Sequence, residues 1–175
     1  TVAGLVMSFG SGAMTNSIGE IKDCDLIFVI GSNTTEGHPV IGLEMKKAYK
    51  RGAKIVVADP REIPLVEFSE LHIAQRPGTD IPLLNAMMKV IIEEGLHDEE
   101  FIASRTEGFE ELRETVSKYD PEEVASICGV DAEDIRRAAR MYATADKAAI
   151  FYTMGITEHT CGTDNVRTIA NLALL

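Results

Sequence analysis

Apolar and polar residues alternate along this chain in two periods. Leu26 to Ile30 is an uninterrupted apolar run, rich in β-branched residues and stopped at Gly31. A run of that length, bounded by a turn signal, reads as a strand buried on both faces, as in a parallel sheet. Lys54 to Ala58 repeats the pattern, and so does Ala148 to Tyr152. Leu71 to Gln75 alternates weakly and predicts a shorter strand. Helical periodicity fills the intervals. Val40 to Arg51 places Val40, Ile41, Leu43, Met45 and Ala48 on its apolar positions and ends in a basic turn followed by Gly52. Ile81 to Glu94 is strongly apolar and stops at Gly95.

The remaining text is less regular. Ser8 to Gly12 predicts a turn and Ala13 to Ile21 a short helix. Residues 62–70 predict a short helix or turn. Residues 98–143 predict a helical block in four pieces: Asp98 to Ser104, a helix from near Thr106 and Glu110 through Ser117, Pro121 to Ile127, and Asp131 to Ala143. A last helix is expected from Thr163 onward. Strands alternating with helices indicate an α/β fold: a Rossmann-like, three-layer domain with a mainly parallel sheet and a helical insertion, spanning residues 1–175. Right-handed crossovers then collect four loops at the carboxyl edge of the sheet: Gly31 to His38, Asp59 to Arg61, Arg76 to Asp80, and Met154 to His159.

Composition narrows the picture. The chain has 175 residues, of which 45% are hydrophobic and 6% aromatic. That is enough for one domain with a core. No apolar run approaches the roughly 20 residues of a membrane span. The formal net charge of −11 argues against a nucleic-acid or membrane-surface role. It leaves open a local anion pocket built from backbone N–H groups and one or two Arg. Cys24, Cys128 and Cys161 are far apart and odd in number, so buried free thiols are expected rather than a disulfide framework, a metal site or a cluster. Thr1 is not Met, and Leu175 falls inside an apolar helical pattern, so a piece of a longer protein is expected.

Open α/β sheets bind ligands outside the carboxyl ends of their strands. The four loops carry residues suited to a nucleotide. Gly31 and Gly78 admit a close backbone approach. Asp59 can accept from a ribose hydroxyl or a guanine edge. Arg61 and Arg76 can pair with phosphates. Thr79 and Asp80 open a helix whose N–H groups face an anion. Plainer readings stand beside these. Asp59-Pro60 is a common turn, Asn33 a loop cap, His38 a helix-start hydrogen bonder and His72 a structural strand residue. Gly10-x-Gly12 lacks the third glycine of a dinucleotide fingerprint, and no P-loop is present.

Several motifs resemble one family, in order and at compatible spacing. They are Gly31-Ser32-Asn33 with His38-Pro39, Asp59-Pro60-Arg61, and Arg76-Pro77-Gly78-Thr79-Asp80 with Leu83-Leu84-Asn85-Ala86. Phe101 to Phe109, Arg136 to Tyr142 and Met154-Gly155-Ile156-Thr157 extend the match. Together they resemble the molybdopterin-dependent oxidoreductases, and within them the catalytic (alpha) subunit of formate dehydrogenase. The resemblance implies a parent enzyme that oxidises formate to carbon dioxide at molybdenum or tungsten held by two molybdopterin guanine dinucleotides. Electrons then pass to a 4Fe-4S cluster outside this segment.

The resemblance also implies site residues. Gly31, Ser32 and Asn33 line the cofactor, with Glu36 and His38 beside them. Asp59, Pro60 and Arg61 hold its nucleotide part. Gly78, Thr79 and Asp80 contact the same dinucleotide, and Met154, Gly155 and Glu158 lie nearer the pterin. A Gln is common in the family where Glu158 stands, and an Asp is sometimes found at Glu36. The metal-ligating Cys or selenocysteine and its neighbouring His are expected before Thr1, and an Arg near the substrate after Leu175. No catalytic or metal-ligating residue is therefore assigned within the segment, and the segment alone is expected to be inactive. The expected partners are the rest of the same subunit and electron-transfer subunits, with formate as the small-molecule substrate and a cytoplasmic location. Two alternatives stay within reach: another member such as a nitrate reductase, and a scaffold domain of a respiratory complex with no metal centre.

Overall fold

A computed structural model describes residues 1–175. Four strands form one sheet: β1 (Leu26–Ile30), β2 (Lys54–Ala58), β3 (Leu71–Ile73) and β4 (Ala148–Tyr152). Their order is β3-β2-β1-β4, and every pairing is parallel. Ile30 sits opposite Ala58 on one side and Tyr152 on the other, while Ala58 faces Ile73. All four strands therefore end together. β1 is central and buried along its whole length, which accounts for its lack of polar residues.

Strand alternation divides the core in two. Leu26, Phe28, Ile30, Val56, Ala58, Leu71 and Ile73 point to one face. There they meet α1 (Val2–Phe9), α4 (Asp80–Glu93), α6 (Phe109–Val116), α7 (Pro121–Cys128), α8 (Ala132–Ala143) and α10 (Gly162–Ala173). Ile27, Val29, Ile55 and Val57 point to the other face, against Met45 and Ala48 of α3 (Pro39–Lys50) and Ile21, Ile63 and Leu65. The three-layer α/β arrangement follows directly from a period of two in β1 and β2. Of the helical block, α6, α7 and α8 lie on the larger side.

Local capping sets most helix bounds. Asp98, Asp120 and Asp131 accept from Phe101, Glu122 and Glu133 N–H groups at 2.9, 3.0 and 2.8 Å. They start α5 (Glu99–Arg105), α7 and α8. Thr106, expected near a helix start, ends a helix instead. Its hydroxyl donates back to the Ile102 carbonyl at 2.9 Å and closes α5, while α6 begins after Gly108.

The expected helix over Ala13 to Ile21 does not form. Chain before it folds instead as α1, closed by Gly10, and residues 11–17 are irregular. Ser17 N donates to Glu20 Oε2 at 2.6 Å, a capping box that delays the helical turn to a 3-10 segment at Ile18–Asp23. β3 is also shorter than expected, ending at Ile73 rather than Gln75. Two short helices, α2 (Thr34–Gly37) and α9 (Met154–Thr157), occupy text expected to be loop. No helix is long and apolar enough to cross a membrane.

Candidate functional site

The four strand ends bring the β1, β2, β3 and β4 loops onto one edge. Their tightest junction joins the first to the last. Gly31 has φ +56°, and a side chain there would place Cβ 2.8 Å from the Gly155 carbonyl carbon and 3.0 Å from Ile156 N. Gly155 N donates to the Gly31 carbonyl at 3.1 Å, and Thr153 Oγ1 donates to the same oxygen at 3.2 Å. Both glycines are thus required by the closeness of two backbones, and Gly31 also by its left-handed φ.

Beside this junction lies polar chemistry without internal partners. Ser32 Oγ, Asn33 Oδ1, Thr35 Oγ1 and Gln75 Oε1 are buried and make no hydrogen bond within the chain. The chain has only one other such atom, Nδ1 of His97, in the helical region. Buried polar groups are nearly always satisfied. Four exceptions on one edge mark it as a surface shaped for a polar ligand, whose groups would meet these atoms.

Two carboxylates frame the same edge. Asp59 is 3% exposed. Its Oδ1 accepts from Arg61 N at 2.9 Å, and the Arg61 Nε lies 3.5 Å from the same oxygen. The Arg61 side chain is 72% exposed, so its guanidinium remains available to an anion. Asp80 is buried at the first turn of α4, where its Oδ1 accepts from Gln75 Nε2 at 3.2 Å. Burial pushes the Asp80 carboxyl above its ordinary value, against the opposing effects of the Gln75 amide and of His159, whose Nε2 lies 4.0 Å from Oδ2.

The sequence-predicted residues fall out as follows. Gly31, Ser32, Asn33, Asp59, Gly78, Thr79, Asp80 and Gly155 all lie on the carboxyl edge, with Glu36, His38, Pro60, Arg61, Met154 and Glu158 exposed around it. His38 separates α2 from α3. The Thr79 hydroxyl donates to the Arg76 carbonyl at 2.7 Å and so shapes the turn. One expectation is corrected: Arg76 is not a free phosphate partner. Its Nη1 donates to the Ser126 and Ile127 carbonyls at 3.0 and 3.2 Å, closing the carboxyl end of α7. His72 is structural as expected, its Nε2 lying 2.9 Å from the Asp59 carbonyl. Thr35 and His159, inside two of the expected loops but given no role, and Gln75 and Thr153, beside them, also join this edge. The only signal for Gln75 in the sequence is its place just before a loop at a strand end.

No group of three or more His, Cys, Asp or Glu side chains is arranged to hold a metal ion. A cleft of about 460 Å³ lies at the opposite edge, where β1 and β2 begin. Its arginines are already paired: Arg137 with Glu70 at 3.0 Å, and Arg140 with Glu94 and Glu133 at 2.8 and 3.1 Å. Unsatisfied chemistry is concentrated at the carboxyl edge instead.

Comparison with known proteins bears on what that edge serves. The profile of the family described as molybdopterin oxidoreductase matches residues 5–175. The chain belongs to the molybdopterin oxidoreductase family. Within that family, formate dehydrogenase H of Escherichia coli is 51% identical over 175 residues, covering all of this chain and 24% of the relative. The alpha subunit of F420-dependent formate dehydrogenase 1 of Methanococcus maripaludis is 50% identical, again over the whole chain and 26% of the relative. A nitrate reductase of Symbiobacterium thermophilum is 40% identical over 185 residues, covering 99% of the chain and 24% of the relative. Among solved structures, acetylene hydratase from Pelobacter acetylenicus superposes with a TM-score of 0.91 at 32% identity, over 99% of this chain and 24% of that one. This molybdopterin oxidoreductase segment spans about a quarter of the length of these relatives.

Proposed function

We propose that this chain is the segment of a formate dehydrogenase catalytic subunit that holds one molybdopterin guanine dinucleotide on the carboxyl edge of its sheet. The observation that carries the reading is the gathering of four buried, unpartnered polar atoms on the edge where the family motifs also converge. The residues present fit such a ligand. Asn33 Oδ1, Gln75 Oε1 and the Asp59 carboxylate are acceptors, suited to the N–H groups of a guanine and the hydroxyls of a ribose. Arg61, largely exposed at the rim, suits a phosphate. The Gly31–Gly155 junction leaves backbone rather than side chain at this edge, and Met154 and Glu158, exposed beside it, would contact the pterin.

The chemistry that the bound cofactor supplies is two-electron redox at molybdenum or tungsten. This chain's residues bind and orient. Asp59, fixed by the Arg61 N–H, would hold a donor edge in one direction, with Ser32 and Asn33 offering polar atoms from the adjacent β1 loop. The rest of the same subunit completes the site, and electron-transfer subunits receive the electrons in the parent complex. The three free thiols accord with a reducing compartment, and we place the parent protein in the cytoplasm. A nitrate reductase parent is the second reading, favoured by the 40% identical relative but with less identity than the formate dehydrogenases show.

Formate-dependent dye reduction tests the proposal. The full-length parent protein, loaded with cofactor, is expected to reduce the dye with formate, and the 175-residue chain alone is not. A parent protein that turns over nitrate and not formate overturns the assignment.

A further inference from the structure

α9 has only four residues, too few to hold its own geometry by backbone bonding. Yet Gly155 within it must keep its place against Gly31 at near-contact distance. Both sides of Gly155 are pinned. Its N–H is on the Gly31 carbonyl at 3.1 Å, and its carbonyl meets His159 Nε2 at 2.8 Å. A carbonyl only accepts, so Nε2 carries a hydrogen whether the ring is neutral or charged. The same Nε2 faces Asp80 Oδ2 at 4.0 Å, and Asp80 is in turn held by Gln75. Hydrogen bonds thus join Gly31, Gly155 and His159, and the imidazole faces the Asp80–Gln75 pair without a hydrogen bond to it.

We propose that His159 is a positioning residue of the cofactor site. It braces Gly155 against Gly31, and so fixes the junction between the β1 and β4 loops on which the ligand rests. This proposal rests on the dinucleotide reading for its functional half only. The brace itself concerns bonds within the chain. His159 touches neither Ser32, Asn33 nor Asp59 through any hydrogen bond, so its effect on the ligand passes through Gly155.

Two variants of the full-length parent protein test it. His159→Leu removes the N–H, while His159→Gln keeps a side-chain N–H at similar reach. Two quantities are read: hydrogen exchange of the peptide covering residues 153–159 in cofactor-free protein, and the guanosine monophosphate released by acid hydrolysis per polypeptide after prolonged dialysis. His159→Leu is expected to speed exchange about tenfold, the loss of one well-made hydrogen bond, and to lose up to one of the two guanine nucleotides per polypeptide. His159→Gln is expected to restore both toward wild type, which general loss of folding would not allow. Unchanged exchange in His159→Leu overturns the brace. Faster exchange with full nucleotide retention overturns its positioning role, as does failure of His159→Gln to restore either quantity. A wild-type protein releasing no guanine nucleotide overturns the dinucleotide reading instead, and the exchange rates still decide whether the brace exists.

Discussion

Replacing Gly31 with alanine puts the geometry of the carboxyl edge under the sharpest load. At φ +56°, an L-residue in the left-handed region costs about 1–2 kcal/mol. The added Cβ also meets backbone, the Gly155 carbonyl carbon at 2.8 Å and Ile156 N at 3.0 Å, which cannot swing aside as a flexible side chain can. Overpacking of this kind costs about 1–3 kcal/mol more. The two effects give about 2–5 kcal/mol, a large share of the roughly 5–15 kcal/mol that holds a domain folded. Gly95→Ala is the matched control. Its φ is +64°, but nothing lies within 4 Å of the position its new methyl group would take, so only the backbone penalty of about 1–2 kcal/mol applies. Urea unfolding of both variants, with unchanged slopes, measures the difference directly. Gly31→Ala is expected to unfold at a midpoint clearly below that of Gly95→Ala. Equal midpoints would refute the inference that the β1 and β4 loops touch through their backbones.

Two further outcomes are expected. Arg76→Ala should destabilise the chain by about 1–2 kcal/mol through loss of its bonds to the Ser126 and Ile127 carbonyls. It should leave the guanine nucleotide content of the parent protein unchanged, and loss of nucleotide at unchanged stability would return Arg76 to a phosphate role. Asp80 gives a pH dependence. Because burial raises its folded value, the folded chain binds this proton more tightly than the unfolded chain, and the associated stability is lost as pH rises through the raised value. Asp80→Asn should therefore gain on wild type in urea midpoint as pH rises above the ordinary carboxylate range, whereas a difference independent of pH would show that the buried carboxyl is not the cause.

The two-sided burial of β1, the parallel sheet and the edge that collects the loops can all be read from the sequence. Each follows from local rules: a continuous apolar run, a helix capped by Asp131, a basic last turn closed at Gly52. What stays hidden is long-range. Arg76 sits in a loop rich in turn residues, but its partners are carbonyls of α7, 50 and 51 residues on. Nothing local distinguishes that guanidinium from one awaiting a phosphate. His159 likewise comes to face Asp80 through the packing of α10 on α4, although β3 and β4 are the outer strands of the sheet. The displaced helix at Ala13 to Ile21 has a local cause. Apolar periodicity alone does not carry the Ser17–Glu20 capping box, which sets the start of the turn after Ser17. Periodicity is equally blind to α2 and α9, because four residues are too few to register it.

The central claim is that this edge holds a guanine dinucleotide through Asp59. Its most direct test counts guanosine monophosphate released by acid hydrolysis from the full-length parent protein, wild type against Asp59→Ala, with circular dichroism confirming that both are folded. The account predicts nucleotide in the wild type and a clear loss in the variant. Equal release from both proteins, or none from the wild type, would contradict it.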